Sequence, residues 1–203
     1  GVPGKFQIKG NYSGSEKEEK VPDGFDYKMW AGTTPDAPYT PSRCHFNFRW
    51  IDDYAPGYIT DWGAHFIDVA HWGMDMDNGG PLEIKADKVR RREGTIYDAV
   101  ENFDISYLYP KDVKMRMFST QRLSEWGTKF IGSEGSIYVE NHKLITTPQE
   151  LKRKKLQSND QRLYVSENHH RNFVDCVISR KKTAASVESA HRAASACHLG
   201  AIA

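Results

Sequence analysis

The stretch Tyr58-Ile-Thr-Asp-Trp-Gly-Ala-His-Phe-Ile-Asp-Val-Ala-His-Trp72 reads as one amphipathic helix in a chain whose later segments alternate instead. At about 100° per residue, Asp61, His65, Asp68 and Trp72 project within an arc of roughly 60°, while Trp62, Phe66, Val69, Ala70 and Gly73 fill the neighbouring face. The second face is expected to anchor in a core, with Trp72 as packing beside it, and the first to meet a ligand. Thr60 is the expected N-cap, and Asn78-Gly79-Gly80-Pro81 supplies a glycine and a proline to stop the helix.

Beyond that stop the period becomes two. Residues 86–93, 99–109, 113–120, 127–132, 136–140 and 143–146 read as six strands, with turn residues at 110–112, 133–135 and 141–142. Turns this short imply antiparallel neighbours. Two further helices are expected, one over 167–179 with Phe173, Val174, Val177 and Ile178 as its apolar face, the other from 187 to the last residue with an alanine-rich face. The fold class is therefore α+β, a large open, mostly antiparallel sheet with helices packed on one face. Upstream, residues 5–12 alternate as a short strand and 13–24 have a loop composition. From 25 to 54, Pro35, Pro38 and Pro41 block regular elements, so Trp30, Tyr39, Phe46, Phe48 and Trp50 are read as core anchors of a wrapping segment, with a sugar-stacking surface as the lesser alternative. The last helix meets no glycine or proline stop, which leads us to expect that the chain ends inside an element of a longer protein.

With 203 residues the chain has room for one substantial core, and 38% hydrophobic with 12% aromatic residues argues against disorder. Lys and Arg number 28 against 27 acidic residues, a balance that supplies no general field for nucleic acid or an anionic membrane, so neither partner is expected. Cys44, Cys176 and Cys197 form neither a disulfide framework nor a zinc-ligand spacing and read as packing. No apolar run approaches a bilayer span, and residues 1–5 lack the apolar core of a signal peptide. The compartment stays open between the cytoplasm and, if an upstream signal has been removed, the periplasm.

Several blocks then carry a family likeness. Trp30-Ala-Gly-Thr-Thr-Pro-Asp-Ala-Pro-Tyr39, Phe48-Arg-Trp50, Asp61-Trp-Gly-Ala-His-Phe-Ile-Asp68, Phe130-Ile-Gly-Ser-Glu-Gly-Ser-Ile137, His170-Arg-Asn-Phe-Val-Asp-Cys176 and the span from Ala190-His191 to Cys197-His-Leu-Gly200 resemble, in the same order, the bacterial-type C-terminal domain of the Gfo/Idh/MocA oxidoreductases. The likeness covers nearly the whole chain. It implies a dihydrodipicolinate-reductase-like domain for substrate binding and oligomerisation, occupying residues 1–203, and a homo-oligomer formed through the open sheet face. It also implies NAD or NADP as cofactor, held mainly by an N-terminal Rossmann domain that this sequence does not contain. No G-x-G-x-x-G follows a strand and opens a helix here, and the family's Glu-Lys-Pro motif is missing, so no cofactor-binding residue is assigned.

By the same resemblance, Asp61 and His65 match the family's Asp-x-x-x-His pair, with His65 as acid/base and Asp61 helping to hold the substrate. Proton chemistry agrees. Removing hydride from a secondary alcohol needs a proton acceptor at the hydroxyl, and an imidazole with an ordinary pKa of about 6.5 serves near neutrality. Arg49, Tyr54 and Tyr58 lie close enough in sequence to line the mouth of such a site. Ala55-Pro56 stands there in a turn that relatives often build from glycines. Arg49, Tyr58 and Asp68 are taken as substrate-binding candidates together with His170 and His191, which fall inside family-like blocks; for Asp68, helix-internal hydrogen bonding is an equal alternative. Asp61, His65, Asp68 and His71 include metal-ligand types, but His71 leaves the shared arc and no metal is expected.

The resulting expectation is the substrate domain of an NAD(P)-dependent dehydrogenase of a sugar, sugar derivative or polyol, inactive as an isolated fragment. Two alternatives stand beside it. One is a non-catalytic carbohydrate-binding or assembly module, and the other is redox-neutral, NAD-dependent glycoside hydrolysis.

Overall fold

The computed structural model describes residues 15–120, 126–140 and 143–203. The strand expected at 5–12 and the turn at 141–142 lie outside them. The described residues group into two compact units, one comprising 15–64, 81–120 and 197–203, the other 65–80, 126–140 and 143–196.

In the first unit, β1 (Glu83–Arg91), β2 (Val100–Tyr109) and β3 (Val113–Phe118) form an antiparallel sheet in that order. The β2–β3 turn places Lys111 and Asp112 in succession in the left-handed region, the geometry that suits the right-handed twist of a hairpin. β2 is central, and its alternation separates the faces. Ile105, Tyr107 and Tyr109 are sealed at 0%, 2% and 0% exposure, while Asn102, Asp104, Ser106 and Leu108 between them are half-buried.

Register pairs Ile105 with Met117 and Tyr107 with Met115, so these four share the sealed face. Two helix segments lie on it. α2 (Trp62–Met74) approaches at Gly63, where a Cβ would collide with Met117. The last turn of α4 (Val187–Ile202) approaches at Gly200, where a Cβ would collide with Tyr107. Cys197, fully buried there, has its thiol pushed up to about 12 by burial and is inert packing. The other face is polar: Arg116 makes two hydrogen bonds to Asp104, at 2.7 and 2.5 Å, and Ser106 donates to Asp87 at 2.7 Å.

The proline-rich segment before α2 wraps as expected. α1 (Tyr27–Ala31) is capped by Asp26, whose carboxylate accepts from the Met29 amide at 2.9 Å. Trp50, Ile51 and Tyr97 form a small core with Tyr54, Tyr58 and Ile96 around it. The Ala99 amide donates to the Trp50 carbonyl at 3.0 Å and the Tyr97 hydroxyl to the Ser42 carbonyl at 3.0 Å, which ties the segment to the start of β2. Of the five large aromatics read as anchors, Trp50 is buried and Trp30 and Tyr39 are half-buried, but Phe46 and Phe48 are exposed.

In the second unit, β4 (Thr128–Gly132), β5 (Gly135–Glu140) and β6 (Lys143–Thr147) form another antiparallel meander. Phe130, Ile137 and Thr146 share a face by register. A Cβ at Gly73 of α2 would collide with the Phe130 ring, and the Thr128 hydroxyl donates to the Phe66 carbonyl at 2.9 Å. α3 (His169–Ser179) starts at Asn168, whose side chain accepts from the Arg171 amide at 2.8 Å, and stops at Arg180 in the left-handed region. α4 starts behind Ser186, whose hydroxyl accepts from the Ser189 amide at 3.2 Å. Ala193 and Ala196 are buried, as the alanine-rich face implies.

The α+β class with antiparallel strands holds, while the expected single large sheet divides into two three-stranded ladders among the described residues. Pairing follows the short connections, and these lie within each triplet of strands. The apolar face expected for α3 is also not buried: Phe173, Val174, Val177 and Ile178 are all exposed, and Cys176 is the buried residue of that helix.

Space at Gly200 is a test of the first sheet's packing. Gly200→Val drives a branched side chain into Tyr107 and Ile105 and should lower stability by about 1–3 kcal/mol in denaturant unfolding. Gly132→Ala, where nothing among the described residues lies within 4 Å, should stay within about 0.5 kcal/mol of the parent. Equal stabilities would refute the close approach.

Candidate functional site

The helix that carries the candidate acid/base is entered through a turn. Residues Gly57–Ile59 make a short 3-10 turn, and the amides of Thr60 and Asp61 both donate to the Gly57 carbonyl, at 3.2 and 3.0 Å. Thr60 closes this turn, with its hydroxyl 3.3 Å from the same carbonyl, and is not the cap of α2, which begins one residue later than the sequence suggested. The helix also ends sooner than Asn78. Asp75 takes the left-handed conformation, its amide points to the Trp72 carbonyl at 3.4 Å, and the Met76 amide donates to the His71 carbonyl at 2.8 Å. This is a Schellman stop with aspartate where glycine is usual.

Gly63, Ile67, Ala70 and His71 form the buried stripe of α2. Phe66 lies on its flank, edge-on to Trp126 with ring centroids 6.4 Å apart. The expected anchor face was centred on Trp62, Phe66 and Val69; Trp62 is instead 46% exposed, and Trp72, read as packing, is 37% exposed. At about 100° per residue the buried stripe and the Asp61–His65–Asp68–Trp72 arc stand on roughly opposite sides of the helix. His65 and Asp68 are therefore both exposed. His71 is sealed, and burial holds its pKa below the ordinary imidazole value, with Asp77 opposing.

Two charged groups emerge among the candidates. In the first, Arg49 Nη1 donates to Asp61 Oδ2 at 3.3 Å, both side chains being partly shielded. Tyr58 belongs to the same group: burial raises its pKa, the Asp61 charge adds to this, and Arg49 works against it. Tyr58 also packs on Trp50, with ring centroids 4.8 Å apart. In the second, His65 acts electrostatically on Asp68. Partial burial of the Asp68 carboxyl, although the residue as a whole is exposed, and the Asp77 charge raise its pKa, and His65 lowers it, with a net rise. Asp61 thus has Arg49 as a charged partner, and His65 acts on Asp68 through its charge. His170 and His191 are exposed on α3 and α4 and enter neither group; the His170 ring meets that of His169 at 6.2 Å.

Phe46, read from sequence as a core anchor with sugar stacking as the lesser alternative, also packs against Arg49, a contact the sequence reading missed. The guanidinium carbon of Arg49 sits 3.8 Å from the centre of its ring. The signal was the spacing: His45–Trp50 is a 3-10 segment, in which positions three apart eclipse, so Phe46 lies over Arg49 and Asn47 over Trp50.

Among the described residues no group of three or more His, Cys, Asp or Glu is placed to hold a metal. The first turns of α3 and α4 are capped by their own Asn168 and Ser186 side chains, and α2 begins directly after the Asp61 carboxylate.

The raised pKa of Asp68 has a sign for stability. Between the unfolded and the higher folded pKa, the folded state holds the proton and the unfolded state has lost it, so stability falls as pH rises through that interval. Asp68→Asn should remove this fall and make the protein more stable than the parent at pH 7, as followed by urea unfolding across pH 3 to 8. A parent that gains stability over the interval, with the variant weaker at pH 7, would contradict the assignment.

A search of curated proteins finds no match to the chain. A family model described as the C-terminal alpha/beta domain of an oxidoreductase family matches residues 1–203, its whole length. With six ordered sequence blocks and an antiparallel α+β architecture already in hand, the chain belongs to the Gfo/Idh/MocA oxidoreductase family, as its C-terminal domain.

Proposed function

We propose that this domain forms the substrate side of an NAD(P)-dependent dehydrogenase acting on a sugar, sugar derivative or polyol, with the dinucleotide held by another part of the same polypeptide. The observation that carries this reading is the exposure of His65 on a helix whose opposite stripe is firmly buried. A catalytic imidazole must be reachable, held in place and able to exchange a proton near neutrality. The buried Ile67, Ala70 and His71 fix the helix, and Asp68 offers the ring a carboxylate partner.

When bound, the nicotinamide supplies the acceptor for the hydride. This domain's task is the rest of the balance. His65 takes the proton of the substrate hydroxyl as the C–H bond is broken, the carbon becomes a carbonyl, and the proton returns to water or is given back in the reverse direction. Asp68 stabilises the imidazolium that forms. Arg49, Tyr58 and Asp61 present donors and acceptors for neighbouring hydroxyls. His170 and His191 are retained as outer substrate contacts in this reading, and the exposed strands as the surface of a homo-oligomer.

Two measurements test it. In the intact polypeptide, His65→Asn should lower kcat for nicotinamide reduction by about 10²–10⁴ and leave substrate Kd within a few-fold, since the amide keeps a donor but accepts no proton. Undiminished turnover would remove His65 from the chemistry, and net NADH absent from the parent during glycoside cleavage would favour the redox-neutral reading. Titrating NAD(H) into the 203-residue chain alone should give no submillimolar binding; tight binding would overturn the division of roles.

A further inference from the structure

The turn His45–Trp50 places its apolar residues against expectation. Asn47 and Trp50 are buried, while Phe46 and Phe48 are 55% and 39% exposed. His45, which opens the turn, holds φ at +54°, a conformation non-glycine residues adopt at a cost. Arg49 is fixed from two directions, its guanidinium stacked over Phe46 at 3.8 Å and 5.9 Å from Phe48, and its Nη1 on Asp61 at 3.3 Å. The ion pair is partly open, and Arg49 Nε is shielded from solvent without a hydrogen-bond acceptor among the described residues. Here, then, exposed aromatic surface adjoins a rigid donor and acceptor whose charges cancel, and the phenol of Tyr58, which burial keeps protonated, belongs to the same group.

That chemistry selects a ligand. A sugar ring has an apolar C–H face that stacks on an aromatic side chain and a rim of hydroxyls that both donate and accept. A carboxylate on the same ring meets Asp61 at close range and must compete with it for Arg49, so like-charge repulsion works against an acid. Resting on the dehydrogenase reading for its location, we propose that Phe46, Phe48, Arg49 and Asp61 form a subsite for an uncharged pyranose, in which the aromatic rings take the C–H face and the Arg49–Asp61 pair takes adjacent hydroxyls and turns away uronic acids.

The test uses the intact polypeptide with its nicotinamide cofactor and three matched probe pairs: glucose with glucuronate, galactose with galacturonate, and mannose with mannuronate. Saturation-transfer NMR reads binding and nicotinamide reduction reads turnover. For at least one pair the neutral member should bind about tenfold or more tightly than its acid. Phe46→Ala, at an exposed position that leaves the core intact, should weaken that sugar about tenfold, seen in KM with kcat changed less than threefold where there is turnover. Asp61→Asn should shrink the preference for the neutral member at least tenfold by improving binding of the acid. Preference for the uronates, no binding of any neutral probe, or affinity unchanged in both Phe46→Ala and Phe48→Ala would overturn the subsite. Neutral-sugar binding that obeys these variants without nicotinamide reduction would sink the dehydrogenase reading and leave the subsite standing.

Discussion

Close approach of α2 at its small residues is the constraint from which the arrangement of functional groups follows. Gly63 admits Met117, Gly73 admits Phe130, and Ala70 is buried between them in sequence. A helix held by glycine and alanine sits close to its support, because nothing larger than a hydrogen intervenes at the contact. Once that stripe is committed, the opposite arc has no freedom: Asp61, His65 and Asp68 must face away from the buried stripe. The exposure of His65 is thus a consequence of packing at Gly63, Ile67 and Ala70, and not a property of the histidine itself.

The same contact explains what the sequence concealed. Helical periodicity at 58–72 was legible, and so was the change to period two after it, which gave the α+β class and all six strand locations. The anchoring face was misplaced because side-chain hydrophobicity was weighed and backbone proximity could not be. Trp62 carries a large apolar signal and is exposed, whereas Gly63 carries none and is buried. The stop of α2 was hidden for a related reason. Asp75 ends the helix through a left-handed backbone and two carbonyl contacts, a geometry that residue type only biases, while the Gly79-Gly80-Pro81 signal downstream was genuine turn chemistry without a helix to end. In α3, an apolar period was read as a buried face, yet periodicity states only that residues share a side.

The candidate residues divided in a way that spacing alone could not show. Asp61 and His65 stand one helical turn apart, but a carboxylate also pairs with a cation that the surrounding chain delivers. Arg49, twelve residues earlier, is delivered to Asp61 by the 3-10 segment and the turn at 57–59. His65 acts through its charge on Asp68, whose own pKa is pushed up by partial burial and Asp77. Two carboxylates on one arc consequently have different environments, one in an ion pair and the other nearer to exchanging a proton. Differentiated environments of this kind are how neighbouring acids come to serve different roles.

Local costs point the same way. An exposed phenylalanine forgoes burial worth about 1.5–3 kcal/mol, and a left-handed non-glycine residue adds about 1–2 kcal/mol. Both occur within the six residues His45–Trp50, and both are tolerated because Asn47 and Trp50 anchor the other side of the turn. Neither feature is needed to bury Trp50, since a regular extended segment could place an indole in the same core. What the strained turn does supply is the eclipsed position of Phe46 over Arg49, which holds a guanidinium in one orientation against Asp61. Part of the free energy withheld from the core at this turn is recovered where the Arg49 guanidinium covers one face of Phe46, and in the proposed subsite the C–H face of a bound sugar recovers more.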